Sequence, residues 1–176
     1  MKKWESFAEV AFHAMKGVLP LWKDASSDTK RAMTRILYDQ VFSSGNSYPT
    51  GYMSREAMQA AKKGQKTCKD HCLSPQFVAR MVYDNPEAWL TDLETFKKLF
   101  HACCATILIT SKQNLALSNL TKNINGKFTV EVATHEKYKH LDITLFHEQK
   151  GYVDSERVLD GLVPSILQEY EEQYLV

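Results

Sequence analysis

The run Ala105-Thr106-Ile107-Leu108-Ile109-Thr110 is short, apolar and β-branched, and it is the clearest strand in the chain. Just after it, Gln113-Asn114-Leu115-Ala116-Leu117-Ser118-Asn119-Leu120-Thr121-Lys122-Asn123 predicts a helix over residues 114–122. Well upstream, Thr67-Cys68-Lys69-Asp70-His71 reads as a second short extended segment. Between them, Ser74-Pro75 offers a cap followed by proline at the first helical position. Phe77, Val78, Met81 and Val82 then line one face, and Asn85-Pro86 ends that helix. A further helix is expected over residues 91–100.

On the N-terminal side, Trp4, Phe7, Ala8, Ala11, Phe12 and Met15 recur at helical spacing. Gly17 and Pro20 punctuate the end of that pattern. Ser27 or Asp28 can cap a second helix carrying Ala32, Met33, Ile36, Leu37 and Val41. Residues 43–49, rich in Ser and Gly and closed by Pro49, read as a loop and linker. A short helix is expected between Ser54 and Gly64. On the C-terminal side, alternating Phe128, Val130 and Val132 predict a strand over 127–133, with another over 142–146. Asp154-Ser155-Glu156 starts a terminal helix that Pro164 divides. The fold class expected is α+β. Its parts are an N-terminal helical pair at 1–45, a core at 54–150 with a helical insertion, and a C-terminal helix at 151–176 packing on the core.

The chain has 176 residues, of which 44% are hydrophobic and 24% charged, a globular balance that excludes disorder or low complexity as a description of the whole. No apolar run approaches the roughly 18 residues that span a bilayer. The start, Met1-Lys2-Lys3-Trp4-Glu5, carries no apolar stretch of the secretory kind. The expectation is an intracellular, cytoplasmic protein with reduced thiols at Cys68, Cys72, Cys103 and Cys104 and no membrane partner.

Lys and Arg number 22 against 21 Asp and Glu, which excludes coating of nucleic acid by bulk charge. The total hides a division. Residues 54–127 hold 11 basic and 6 acidic residues, and residues 128–176 hold 4 basic and 10 acidic. Within the basic part, Lys62-Lys63-Gly64-Gln65-Lys66-Thr67-Cys68-Lys69 runs directly into Asp70-His71. Such a patch suits a phosphate backbone, and equally a solvated helix end.

Asp70-His71, the nearby Pro75, Asn114-Leu115 and a polar residue nine positions after that Asn resemble the pattern of the HNH, or ββα-metal, endonucleases. The resemblance covers residues 67–127 and is to a His-Asn-Asn variant, with a long insertion that sets Asn114 43 positions after His71. It implies a ββα-metal-like centre and hydrolysis of DNA with one Mg²⁺ or Mn²⁺, in an enzyme of phage, homing or restriction type. It further implies His71 as general base, Asn114 as the residue that orients it, and Asp70 and Asn123 as metal ligands. Lys62, Lys63, Lys66, Lys69, Lys122 and Lys127 would meet phosphates. The chemistry suits these types. A neutral His accepts the proton of an attacking water near pH 7, and Mg²⁺ prefers carboxylate and carbonyl oxygens. Nine helical steps would place Asn114 and Asn123 on opposite faces, so the resemblance requires Asn114 to lie before its helix begins.

Other readings stand beside this one. His135 is an alternative third ligand. The four Cys could form a zinc site, but adjacent Cys103 and Cys104 diverge, so structural zinc is not expected. A nucleophilic Cys72 beside His71 is disfavoured because neighbouring side chains diverge. Tyr48 and Tyr52, placed in the linker, could stack on bases. RNA is an alternative substrate, and a homodimer would suit double-strand cleavage. The rival functions are a non-catalytic nucleic-acid-binding module and a protein-interaction module.

Overall fold

The computed structural model describes residues 3–43, 45–124, 127–153 and 165–176. The chain is α+β and divides into two units, Met1–Tyr48 with Leu73–Ala105, and Pro49–Cys72 with Thr106–Val176. The helical insertion groups with the N-terminal helices rather than with the strands that flank it.

The first unit is helical. It contains α1 (Lys3–Val18), a 3₁₀ turn at Leu19–Leu21, α2 (Ser27–Phe42), α4 (Pro75–Asp84), the short α5 (Pro86–Trp89) and α6 (Leu93–Cys103). Local chemistry sets the ends. Ser26, one residue before the expected cap, accepts a hydrogen bond from the Thr29 backbone N–H at 3.2 Å. Asp92 caps α6 by accepting from the backbone N–H groups of Glu94 and Thr95. Pro75 and Pro86 stand at the first positions of α4 and α5, where no backbone donor is needed. Apolar stripes then explain why the insertion sits with the N-terminal pair. Ala8, Ala11, Phe12 and Met15 of α1 are buried, as are Met33, Leu37 and Val41 of α2. Phe77, Val78, Met81 and Val82 of α4 and Phe96, Leu99 and Phe100 of α6 supply the facing surfaces, with α2 on α4 and α1 on α6. Each large side chain so buried contributes about 1.5–3 kcal/mol. Trp22 stacks on Tyr83 with ring centroids 4.7 Å apart, and its indole N–H donates to Asp84 at 2.6 Å.

The second unit holds a five-stranded sheet in the order β2-β3-β1-β6-β7. The strands are β1 (Tyr48–Ser54), β2 (Cys68–His71), β3 (Ala105–Ile109), β6 (Leu145–His147) and β7 (Gly151–Val153). Antiparallel β2 and β3 pair Cys68 with Ile109, Asp70 with Ile107 and His71 with Thr106. A separate hairpin joins β4 (Thr121–Ile124) to β5 (Lys127–Val130). The helices are α3 (Arg55–Lys62), α7 (Ser111–Ser118), α8 (Lys137–His140) and α9 (Ser165–Glu171).

Several expectations are corrected here. The loop expected over 43–49 gives way at Tyr48 to β1, which spans Tyr48–Ser54, so Tyr48 and Tyr52, placed in the linker by the sequence, stand in a strand. The helix expected at 114–122 spans 111–118, because Thr110 and Gln113 close a capping box that starts it early. Residues 121–124 then form β4, where β-branched Thr121 and Ile124 pair across to 127–130. The strand expected over 127–133 ends at Val130, and the one expected at 142–146 begins at Leu145. The terminal helix start at 154–156 and its division at Pro164 lie outside the described residues, while β7 occupies 151–153 and α9 is helical at 165–171.

Candidate functional site

The strand–strand–helix order β2, β3, α7 is present, with α7 against β2. Asp70 and His71 close β2. Extended backbone sends adjacent side chains to opposite faces, and burial reports the difference: Asp70 is half-buried, whereas His71 is only 7% exposed.

Asp70 does not stand free. Its Oδ2 accepts from Lys137 Nζ at 2.8 Å and from the Tyr138 hydroxyl at 2.5 Å. Lys137 Nζ also donates to the backbone carbonyl of His71 at 2.9 Å. One ammonium is thus held by a carboxylate oxygen and a carbonyl oxygen. The two charged side chains are only 13% and 14% exposed, so solvent screens the pair weakly. Tyr138 is fully buried, and burial, reinforced by the charge of Asp70, holds its hydroxyl protonated well above the usual range. Cys72 is buried beside them. Desolvation pushes its thiol up to about 12, with Lys137 opposing, so at neutral pH it is a protonated thiol and not a thiolate nucleophile.

The remaining residues of the resemblance are placed differently from its pattern. Asn114 lies inside α7, its backbone N–H donating to the Thr110 carbonyl at 2.9 Å, and its side chain is exposed. The requirement that it precede the helix is not met, because the Thr110 cap begins α7 at Ser111. Asn123 is not on a helix either. It lies in β4 opposite Phe128, and its side chain is outside the described residues. Among the described residues there is no cluster of three or more His, Cys, Asp or Glu able to hold a metal ion.

The basic residues separate into two sets. Lys62, Lys63, Lys66 and Lys69 are exposed, and among the described residues none has a carboxylate within 4.0 Å. Lys62 and Lys63 stand at the C-terminal end of α3, where the helix dipole favours cations. Lys122 is instead paired with Glu131 at 3.1 Å, and this hydrogen bond holds the Glu131 carboxyl below its usual range. The Lys127 side chain lies outside the described residues.

Sequence reading missed three participants. Lys137 and Tyr138 come from α8, a four-residue helix with no periodic signal of its own. Glu171, only 1% exposed, accepts from the backbone N–H of Thr134 at 2.8 Å and from its hydroxyl. Its second oxygen, Oε2, and His135 Nδ1 are buried with no hydrogen-bond partner among the described residues. His135 is half-buried rather than turned fully to solvent. All four Cys are free thiols.

The chain matches no family model, and no curated protein or solved structure is significantly similar to it. Among the described residues no helix is long and apolar enough to cross a membrane.

Proposed function

We propose that the chain binds a nucleic-acid backbone along α3 and β2 and acts on it as an HNH-type, metal-dependent endonuclease at Asp70–His71. The observation that supports the reading is the Asp70–His71 pair at the close of the first strand of a strand–strand–helix unit, next to four exposed lysines. Lys62, Lys63, Lys66 and Lys69 supply phosphate contacts that position the strand without reading its sequence.

The oxygens on which a metal would depend suit a hard cation, but they are engaged. Asp70 Oδ2 and the His71 carbonyl converge on Lys137. A divalent ion fits them only in exchange with that ammonium. In the endonuclease reading Asp70 and Asn123 would hold the ion. When bound, it would supply charge neutralisation at the phosphate and leaving oxygen. His71 would accept the proton of the attacking water once its ring is reached by solvent; Asn114, exposed within α7, is left without the orienting role that the resemblance gives it.

A second reading, nucleic-acid binding without cleavage, is favoured by the ion pair itself. With Asp70 paired to Lys137 and hydrogen-bonded by the Tyr138 hydroxyl, the end of β2 serves as a structural fastening. Incubation of the full chain with plasmid and with single-stranded DNA and RNA, in Mg²⁺, Mn²⁺ and chelator, separates the two. The endonuclease reading requires metal-dependent cleavage that His71→Ala abolishes. Binding without cleavage selects the second reading, provided that replacing the four lysines by Gln lowers the salt dependence, by a slope of up to about 3–4 for a duplex. Absence of both binding and cleavage defeats both.

A further inference from the structure

We propose that the β1–β6–β7 end of the sheet is a stacking site for unpaired nucleotides, formed by Tyr52, His147 and Lys150. The inference rests on the reading that the chain binds nucleic acid, and it adds which state of the strand is bound.

Tyr52 and His147 are direct partners in the β1–β6 register. Their ring centroids lie 4.8 Å apart at 65°. Two features fix the imidazole. Its Nδ1 accepts the backbone N–H of Gln149 at 3.1 Å. Its Nε2 lies over Gly51, where a Cβ would come within 2.7 Å. Gly51 also has φ +85°, a conformation that side chains disfavour. A glycine in the interior of a strand weakens it and marks a close approach, and here the approaching group is the His147 ring.

The site is open on the side of the edge strand. Gly151 of β7 stands opposite His147, and a Cβ there would meet nothing within 4 Å. Lys150 supplies the charge. Its Nζ lies 3.1 Å from the Tyr52 hydroxyl and 5.5 Å from the ring centroid, and no carboxylate lies within 4.0 Å of it among the described residues. On the other face of the same strands, Phe146 and Tyr152 are paired at 5.4 Å, with Tyr152 58% exposed.

Preset rings with an ammonium that has no carboxylate partner among the described residues match the chemistry of a base followed by its phosphate. A duplex keeps the faces of its bases inside the stack, so the site selects unpaired nucleotides. Of the strand's two requirements, the ring faces supply stacking and Lys150 supplies charge complementarity.

The test is fluorescence anisotropy of the full chain with fluorescein-labelled oligothymidylate and with a duplex of the same length. Tyr52→Ala and His147→Ala are expected to weaken oligothymidylate binding about tenfold or more and to leave duplex binding within about twofold. Tyr52→Phe, which keeps the ring, is expected to retain binding, and Lys150→Gln, at an exposed site, to weaken it about threefold. Should Tyr52→Ala fail to fold, the Lys150→Gln and Tyr52→Phe results decide. Unchanged oligothymidylate affinity in the folded variants overturns the stacking site while leaving nucleic-acid binding intact. Binding of duplex but not of oligothymidylate by the wild-type chain does the same. Binding of neither overturns both.

Discussion

Lys137 Nζ sits 2.8 Å from Asp70 Oδ2, joining α8 to the end of β2 across 67 residues of sequence. Both side chains are largely removed from water, so either one left alone is a buried charge without a partner. Lys137→Met is expected to destabilise the chain by about 3 kcal/mol, the lower end of the range for such pairs because some exposure remains. Lys137→Met combined with Asp70→Leu should recover part of the loss, since it removes the orphaned charge. Urea unfolding of the three chains measures this. An unchanged midpoint for Lys137→Met would remove the ion pair from any account of stability. The same variant bears on the endonuclease reading, which expects Mg²⁺ to raise its melting temperature more than that of the wild-type chain, because Oδ2 is released.

The thiols offer a second measurement. Cys72, Cys103 and Cys104 are fully buried, and burial pushes Cys72 and Cys104 up to about 12. Both remain protonated at pH 8, and a thiol reagent attacks thiolate. Cys68 is half-exposed, with its sulfur 3.1 Å from the Ser111 hydroxyl. The native chain at pH 8 is expected to react rapidly at Cys68 alone, with the other three following only on unfolding. Rapid labelling of Cys72, located by mass spectrometry, would contradict the buried, inert thiol.

Gln113 makes a third case. Its Oε1 accepts from the Ser54 hydroxyl at 2.7 Å and from the Thr110 backbone N–H at 3.0 Å, and its Nε2 donates to Glu56 at 2.8 Å. Ser54 in turn caps α3 by accepting from the Ala57 N–H. One side chain therefore completes the start of α7 and fastens it to the start of α3. Gln113→Ala is expected to cost about 1–2 kcal/mol, the loss of a cap with its accompanying bonds. Gln113→Glu should also destabilise, because it replaces the donor to Glu56 with a like charge. Chemical denaturation reads both, and a Gln113→Glu chain as stable as wild type would refute the donor role.

The parts of this fold legible in sequence are those in which local pattern and tertiary packing agree. The stripe of α1, the Ser-Pro start of α4 and the apolar run of β3 are such places. Where short-range signals compete, the reading strayed. Leu115, Leu117 and Leu120 extend a helical pattern through Lys122, although the β-branched residues around Asn125-Gly126 also favour a hairpin, and β4 with β5 is what forms. Tyr48-Pro49-Thr50-Gly51 carries two strand breakers, yet its partners in the sheet make it β1. Asp70 and His71 stand out because they are adjacent in sequence. Lys137, the partner of Asp70, does not, because only folding brings it there, and neither a four-residue helix nor a lone lysine carries a periodic signal.

Glu171 links α9 to the turn before α8, and its behaviour with pH is a final expectation. Burial raises its carboxyl above the ordinary range, against the opposing effects of its Thr134 hydrogen bonds, His135 and Lys137. The folded chain therefore holds this proton more tightly than the unfolded chain does. The resulting stability is whole below the ordinary carboxyl value of about 4.3 and is lost as pH rises through the higher folded value. Glu171→Gln keeps an oxygen to accept from the Thr134 N–H and hydroxyl, while removing the ionisation. Its melting temperature is expected to exceed that of the wild-type chain by about 2–4 °C at pH 8, the shift that roughly 1 kcal/mol produces in a chain of this size. The gap should close toward pH 4, where both side chains are neutral. Glu171→Ala removes the acceptor as well and should melt below wild type at pH 4. Parallel melting curves for wild type and Glu171→Gln from pH 4 to pH 8 would show that Glu171 does not titrate between those limits.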